Sequence, residues 1–83
     1  MMTKDEIKQK IIEQIYEIAP EHEGETIPEN ENLQRSLEID SFDFLSLLTA
    51  LNDELGVEVP ESDYSDVDTL EHMAAYFAER LAK

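Results

Sequence analysis

Residues 38–60 read EIDSFDFLSLLTALNDELGVEVP, and the spacing within them decides the fold class. Phe44, Leu47, Leu48, Leu51 and Leu55 recur every three or four positions, the repeat that gathers side chains on one face of an α-helix. This predicts a helix over residues 41 to 55. Asp40 stands at its N-cap, Asp43 at its third position, and Ile39 is placed to staple against Phe44. Gly56 ends it, because glycine enters the left-handed region without a Cβ clash, and Pro60 forbids continuation. Phe42, Leu45 and Thr49 fall about a third of a turn or more from the core face, with Asp43 and Asp53 on their flanks. Ser41 lies on the border between the two faces. The second face either widens the core or forms a strip on which a partner docks.

The same logic extends outward. Upstream, Thr3 and Glu6 match a capping box, Met2 can staple to Ile7, and Ile7, Ile11, Ile15 and Ile18 form a helical stripe that Pro20 stops. Residues 19 to 38 are polar and acidic, and they read as a long loop anchored by Ile27, Leu33 and Leu37 with a short helical turn near residues 33 to 37. Downstream, ESDYSD at 61 to 66 has room for one helical turn. A final helix starts near Thr69 with Asp68 and Glu71 as a capping pair, and its stripe is Leu70, Met73, Ala74, Phe77 and Leu81. No alternating stretch is long enough for a strand. The expected fold is all-α: a small four-helix bundle of three main helices and one short one, filling residues 1–83 as a single domain.

Composition narrows the function classes. Without cysteine the chain offers no disulfide, no thiolate metal site and no thiol nucleophile. Twenty-one acidic residues face six basic ones, a net charge of −15, which disfavours nucleic acid and anionic membrane surfaces and favours basic protein patches. No apolar run approaches the roughly 20 residues of a membrane span, and MMTKDEIKQK lacks the apolar centre of a signal peptide. A cytoplasmic monomer that does not insert into membranes is expected.

Catalytic motifs are missing. His22 and His72 are far apart in sequence and belong to no metal-binding motif, and ESDYSDVDTLE lacks the spacing and turn glycine of a calcium loop, so no metal site and no catalytic residue is assigned. Ser41 has no sequence-adjacent base to make it a nucleophile. Spacing and capping alone leave it a helix-start residue, although a phosphate placed there would meet free N–H groups and the positive end of the helix.

Asp40-Ser41 opening this helix, the series Leu47, Leu48, Leu51, and LGVEVPESDYSDVDTLEHMAAYF at 55 to 77 together resemble the acyl carrier protein family, the phosphopantetheine-dependent acyl and peptidyl carriers. The resemblance covers nearly the whole chain and implies a single carrier domain. It implies that Ser41 accepts 4′-phosphopantetheine from coenzyme A through a phosphopantetheinyl transferase, which supplies the metal and base that the chain lacks. The arm's thiol then carries acyl thioesters to fatty-acid, polyketide or other specialised enzymes of lipid and secondary metabolism. The chain would be a phosphoprotein carrier rather than an enzyme. Its partners would be an acyl- or aminoacyl-loading ligase and synthases or transferases with basic patches. They would dock on Asp40, Phe42, Asp43, Leu45 and Thr49.

The chain departs from the family pattern at several points. Phe42 replaces the usual leucine after the serine, and Ser46 and Asn52 stand where typical members have acids. This implies specialised partners. Phe44 takes a usually smaller inward position, so with Leu48 it would partly fill the cargo cavity and favour a short, polar or unsequestered cargo. Two alternatives remain open: an aminoacyl or peptidyl carrier, D-alanyl included, and an acidic helical adaptor with no prosthetic group.

Overall fold

Thr3 opens the first helix as its sequence requires. Its Oγ1 accepts the Glu6 N–H at 3.1 Å, and Glu6 Oε1 accepts the Thr3 N–H at 2.8 Å. In the computed structural model, which describes residues 2–82, this helix is α1, Lys4–Ile18. Ile7, Ile11 and Ile15 are fully buried. The stripe continues to Ala19 rather than to Ile18, which is only half-buried, because a strict four-residue step from Ile15 falls on Ala19.

The acidic segment that follows is more ordered than a plain loop. Pro20–His22 forms a 3₁₀ turn, and α2, Leu33–Ser36, forms one helical turn capped by Asn32, whose Oδ1 accepts the Arg35 N–H at 2.9 Å. Ile27, Leu33 and Leu37 are buried as anchors. Two backbone bonds fasten the segment to the start of the last helix: Leu33 N–H to the Asp68 carbonyl at 2.8 Å, and Glu71 N–H to the Glu29 carbonyl at 2.9 Å.

Helix α2 ends in a Schellman-type turn, with Ile39 N–H donating to the Gln34 carbonyl at 3.1 Å. The left-handed position of that turn is usually glycine. Here it is Glu38, at φ 56°, so a Cβ sits where the backbone disfavours one.

Helix α3 spans Ser41–Leu55, the predicted bounds. The Asp40 carboxylate accepts the Asp43 N–H at 2.8 Å, and Gly56 closes the other end at φ 73°. A 3₁₀ helix, Glu61–Val67, exceeds the single turn expected at 61 to 66 and buries Val67. Helix α4, Leu70–Leu81, follows. Its cap corrects the expected Asp68–Glu71 pair. Thr69, in extended backbone, accepts the His72 N–H through Oγ1 at 3.0 Å, whereas Asp68 is already helical as the end of the 3₁₀ helix.

Helix α1 lies against both α3 and α4, and the interior joins Leu47 and Leu51 of α3 to Leu70, Met73 and Phe77 of α4. Each such side chain contributes roughly 1.5–3 kcal/mol by leaving water. Among the described residues there is no strand, as the all-α reading requires, only an isolated bridge between Asn32 and Thr69. Outside the core, Lys4 and Lys8 of α1 bond Glu71, and Lys8 also bonds Glu29. Bonds from Lys4 and then Lys8 hold Glu71 down at about 2, and Glu29 and Glu71 raise Lys8. This clasp orients α4 on α1.

Candidate functional site

The site begins where α3 begins. Ser41 is the first residue of the helix and is exposed. The Asp40 carboxylate beside it is occupied in capping Asp43. The other N–H groups of a first helical turn have no intrahelical partner, and the helix dipole adds positive potential there. A phosphate on Ser41 Oγ would therefore be favoured by backbone alone.

Ser41 also stands at the edge of a cleft of about 680 Å³ between α3 and the 3₁₀ helix. Phe44, Leu45 and Tyr64 supply its apolar wall, and Asn32, Gln34 and Ser65 its neutral polar one. Glu61 and Asp68 place carboxylates on the same cleft. The Phe44 ring is 5% exposed and meets Tyr64 edge to face with centroids 6.2 Å apart. These residues fit an amide-containing arm attached at Ser41: the amides of Asn32 and Gln34 can bond it, and the aromatic wall can cover its alkyl parts.

The second face of α3 is solvent-facing, so it does not widen the core. Phe42 is 77% exposed and Leu45 44% exposed. With Ser46, Thr49, Ala50 and Asp53 they line a shallow groove along the helix. Thr49 holds its hydroxyl inward on the Leu45 carbonyl at 2.9 Å, which presents its methyl group. Asp43 is half-buried at the edge of this face. The helix contains no basic residue, so a ridge of two apolar side chains runs between carboxylates.

The structure thus brings Ser41, Phe44 and Leu45 to one cleft and Phe42, Leu45 and Thr49 to one ridge. Leu48 is not part of the cleft wall; it is buried in the core. Tyr64, Asn32, Gln34 and Asp68 complete the cleft, and sequence reasoning missed them because the fold assembles them from remote segments. The one local signal was Tyr64, an aromatic in an otherwise polar run. The histidines stay apart: His22 bonds Glu25 and Leu37, and His72 bonds Asp68. Among the described residues no group of three or more His, Asp or Glu side chains converges on a metal position.

Comparison with known proteins gives the family. Residues 6–77 match the family model described as a phosphopantetheine attachment site. An acyl carrier protein of Saccharopolyspora erythraea is 33% identical over 69 residues, covering 80% of this chain and 73% of that protein. The acyl carrier proteins of Rickettsia canadensis and Rickettsia typhi are each 29% identical over 80 residues, covering 96% of this chain and 92% of theirs.

Proposed function

The chain belongs to the phosphopantetheine attachment-site family of acyl carriers, and from that premise we propose that Ser41 is the residue that holds the group. The observation that carries this reading is the position of Ser41: exposed, first in α3, and at the mouth of a cleft with both amide and aromatic walls. As a member of the family the chain is a carrier and not an enzyme, and phosphopantetheine is the family's prosthetic group. When attached, the arm supplies the thiol that this cysteine-free chain lacks.

The chain's own residues then divide the work. Asp40 holds the helix start rigid by capping Asp43, and with Asp43 it marks the attachment point for a transferase with a basic surface. Phe42, Leu45 and Thr49 form the ridge on which loading ligases and synthases dock through apolar contact, while surrounding carboxylates steer basic patches toward it. Such a carrier works as a cytoplasmic monomer, meeting its enzymes one at a time.

The cargo in this reading is short or polar. Phe44 and Tyr64 pack edge to face in the cleft wall, so the ring of Phe44 fills space that a long acyl chain would need, and carboxylates and amides share the cleft with the apolar wall. Delivery is to fatty-acid, polyketide or other specialised synthases. One observation favours a second reading, an aminoacyl cargo: Glu61 and Asp68 line the cleft, and among the described residues no lysine or arginine does, which suits an ammonium group. Loading assays with acyl and aminoacyl ligases separate the two. Intact mass after incubation with coenzyme A and a broad-specificity transferase tests the attachment itself.

A further inference from the structure

His22 sits between two acceptors. Its Nδ1 lies 2.7 Å from Glu25 Oε1, and its Nε2 lies 2.9 Å from the Leu37 carbonyl oxygen. An ionised carboxylate and a carbonyl only accept hydrogen bonds, so both contacts are bonds only when both ring nitrogens carry a proton. The neutral ring, in either tautomer, faces one acceptor with a lone pair. The ring is 19% exposed and Glu25 60% exposed, so the contact with the Leu37 carbonyl is the more shielded of the two.

The Leu37 carbonyl is a sensitive place to hold. It is at the C-terminal end of α2, immediately before Glu38 with its left-handed backbone, and three residues before the Asp40 cap of α3.

We propose that protonated His22 is a pH-sensitive clasp joining the segment after α1 to the α2–α3 junction, and that its deprotonation, which leaves at most one neutral hydrogen bond in place of two charge-assisted ones, loosens the backbone leading into Ser41. The charged groups acting on the ring are Glu25 and Glu21 on its own segment. The junction presents the Leu37 carbonyl, and α1 contributes Tyr16, whose hydroxyl fixes the segment by donating to the Glu25 backbone carbonyl at 2.7 Å. The bond to Glu25, then the bond to Leu37, raise the His22 pKa above its ordinary value, against a smaller opposing effect of burial. The folded value therefore lies above the unfolded value of about 6.5. The clasp's stabilisation is complete below about pH 6.5 and is lost as pH rises through the folded value.

Proton NMR titration of both histidine rings, with hydrogen-exchange protection factors for the Ile39 amide, tests the clasp between about pH 5.5 and 9. His22 is expected to titrate above about 6.5, and Ile39 protection to fall roughly threefold or more across that titration. In His22→Gln the Ile39 protection is expected to be flat with pH; in His72→Gln the fall persists. Glu25→Gln, a change at an exposed side chain, lowers the His22 titration toward its ordinary value and serves if His22→Gln does not fold. A His22 titration at or below about 6.5, or Ile39 protection in the unmodified chain that does not change with pH, overturns the proposal.

Discussion

Phe44 and Tyr64 meet edge to face, with ring centroids 6.2 Å apart and planes at 80°, and this pair walls the cleft that starts at Ser41. An aromatic contact of this kind contributes about 0.5–1.5 kcal/mol beyond the area it buries. It also decides what the cleft can hold, because the ring of Phe44 occupies space that a smaller side chain would leave open.

Phe44→Leu should therefore cost about 1–2 kcal/mol in urea unfolding while deepening the cleft. Loaded with a long acyl chain, the variant should show larger core chemical-shift changes than the parent. Equal changes in both proteins would mean that Phe44 does not limit cargo.

Phe42 is two positions away and faces the opposite environment. At 77% exposed it has little folded-state packing to lose, so Phe42→Ala should change stability by no more than about 0.5 kcal/mol. Cargo transfer to a partner enzyme should nevertheless slow by roughly tenfold, as for an aromatic that carries part of the binding energy of an interface. Unchanged transfer kinetics would remove Phe42 from the proposed docking ridge.

Glu38 offers a test in the opposite direction. Its φ of 56° costs a residue with a Cβ about 1–2 kcal/mol, and glycine gives back about 0.5–1 kcal/mol of that through its freer unfolded chain. Glu38→Gly should stabilise the domain by about 0.5–1 kcal/mol and raise its urea midpoint. A midpoint that stays level or falls would show that the Glu38 side chain contributes more than its backbone costs.

Charge makes a further prediction. Twenty-one acids against six bases leave −15 on a chain of 83 residues. Salt shortens the reach of this repulsion to about 10 Å at 0.1 M, while the partly exposed lysine–glutamate pairs weakened by screening contribute less. The melting temperature should rise from low to moderate ionic strength. A fall would mean that the Lys4, Lys8 and Glu71 clasp outweighs the general repulsion.

Local rules made much of this fold legible. The capping box at Thr3 and Glu6, the Asp40 cap and Gly56 bounded α1 and α3, because each depends on residues within one turn. The α4 cap was less readable: Asp68 and Thr69 are both good N-cap residues, and the choice between them is tertiary. Asp68 gives its carbonyl to the Leu33 N–H and ends the preceding 3₁₀ helix, which leaves the extended conformation to Thr69. The cleft was hidden for the same reason, since Tyr64, Asn32 and Gln34 reach Ser41 only through contacts between distant segments. The clasp at His22 also depends on a carbonyl fifteen residues away.

The central claim is that Ser41 holds the prosthetic group, and its most direct test is intact-mass spectrometry after incubation with coenzyme A, magnesium and a broad-specificity phosphopantetheinyl transferase. The account predicts one added phosphopantetheinyl group on the parent chain, mapped to the peptide containing Ser41, and none on Ser41→Ala of matching helical content. A parent chain that gains no mass, or a gain that survives Ser41→Ala, would contradict it.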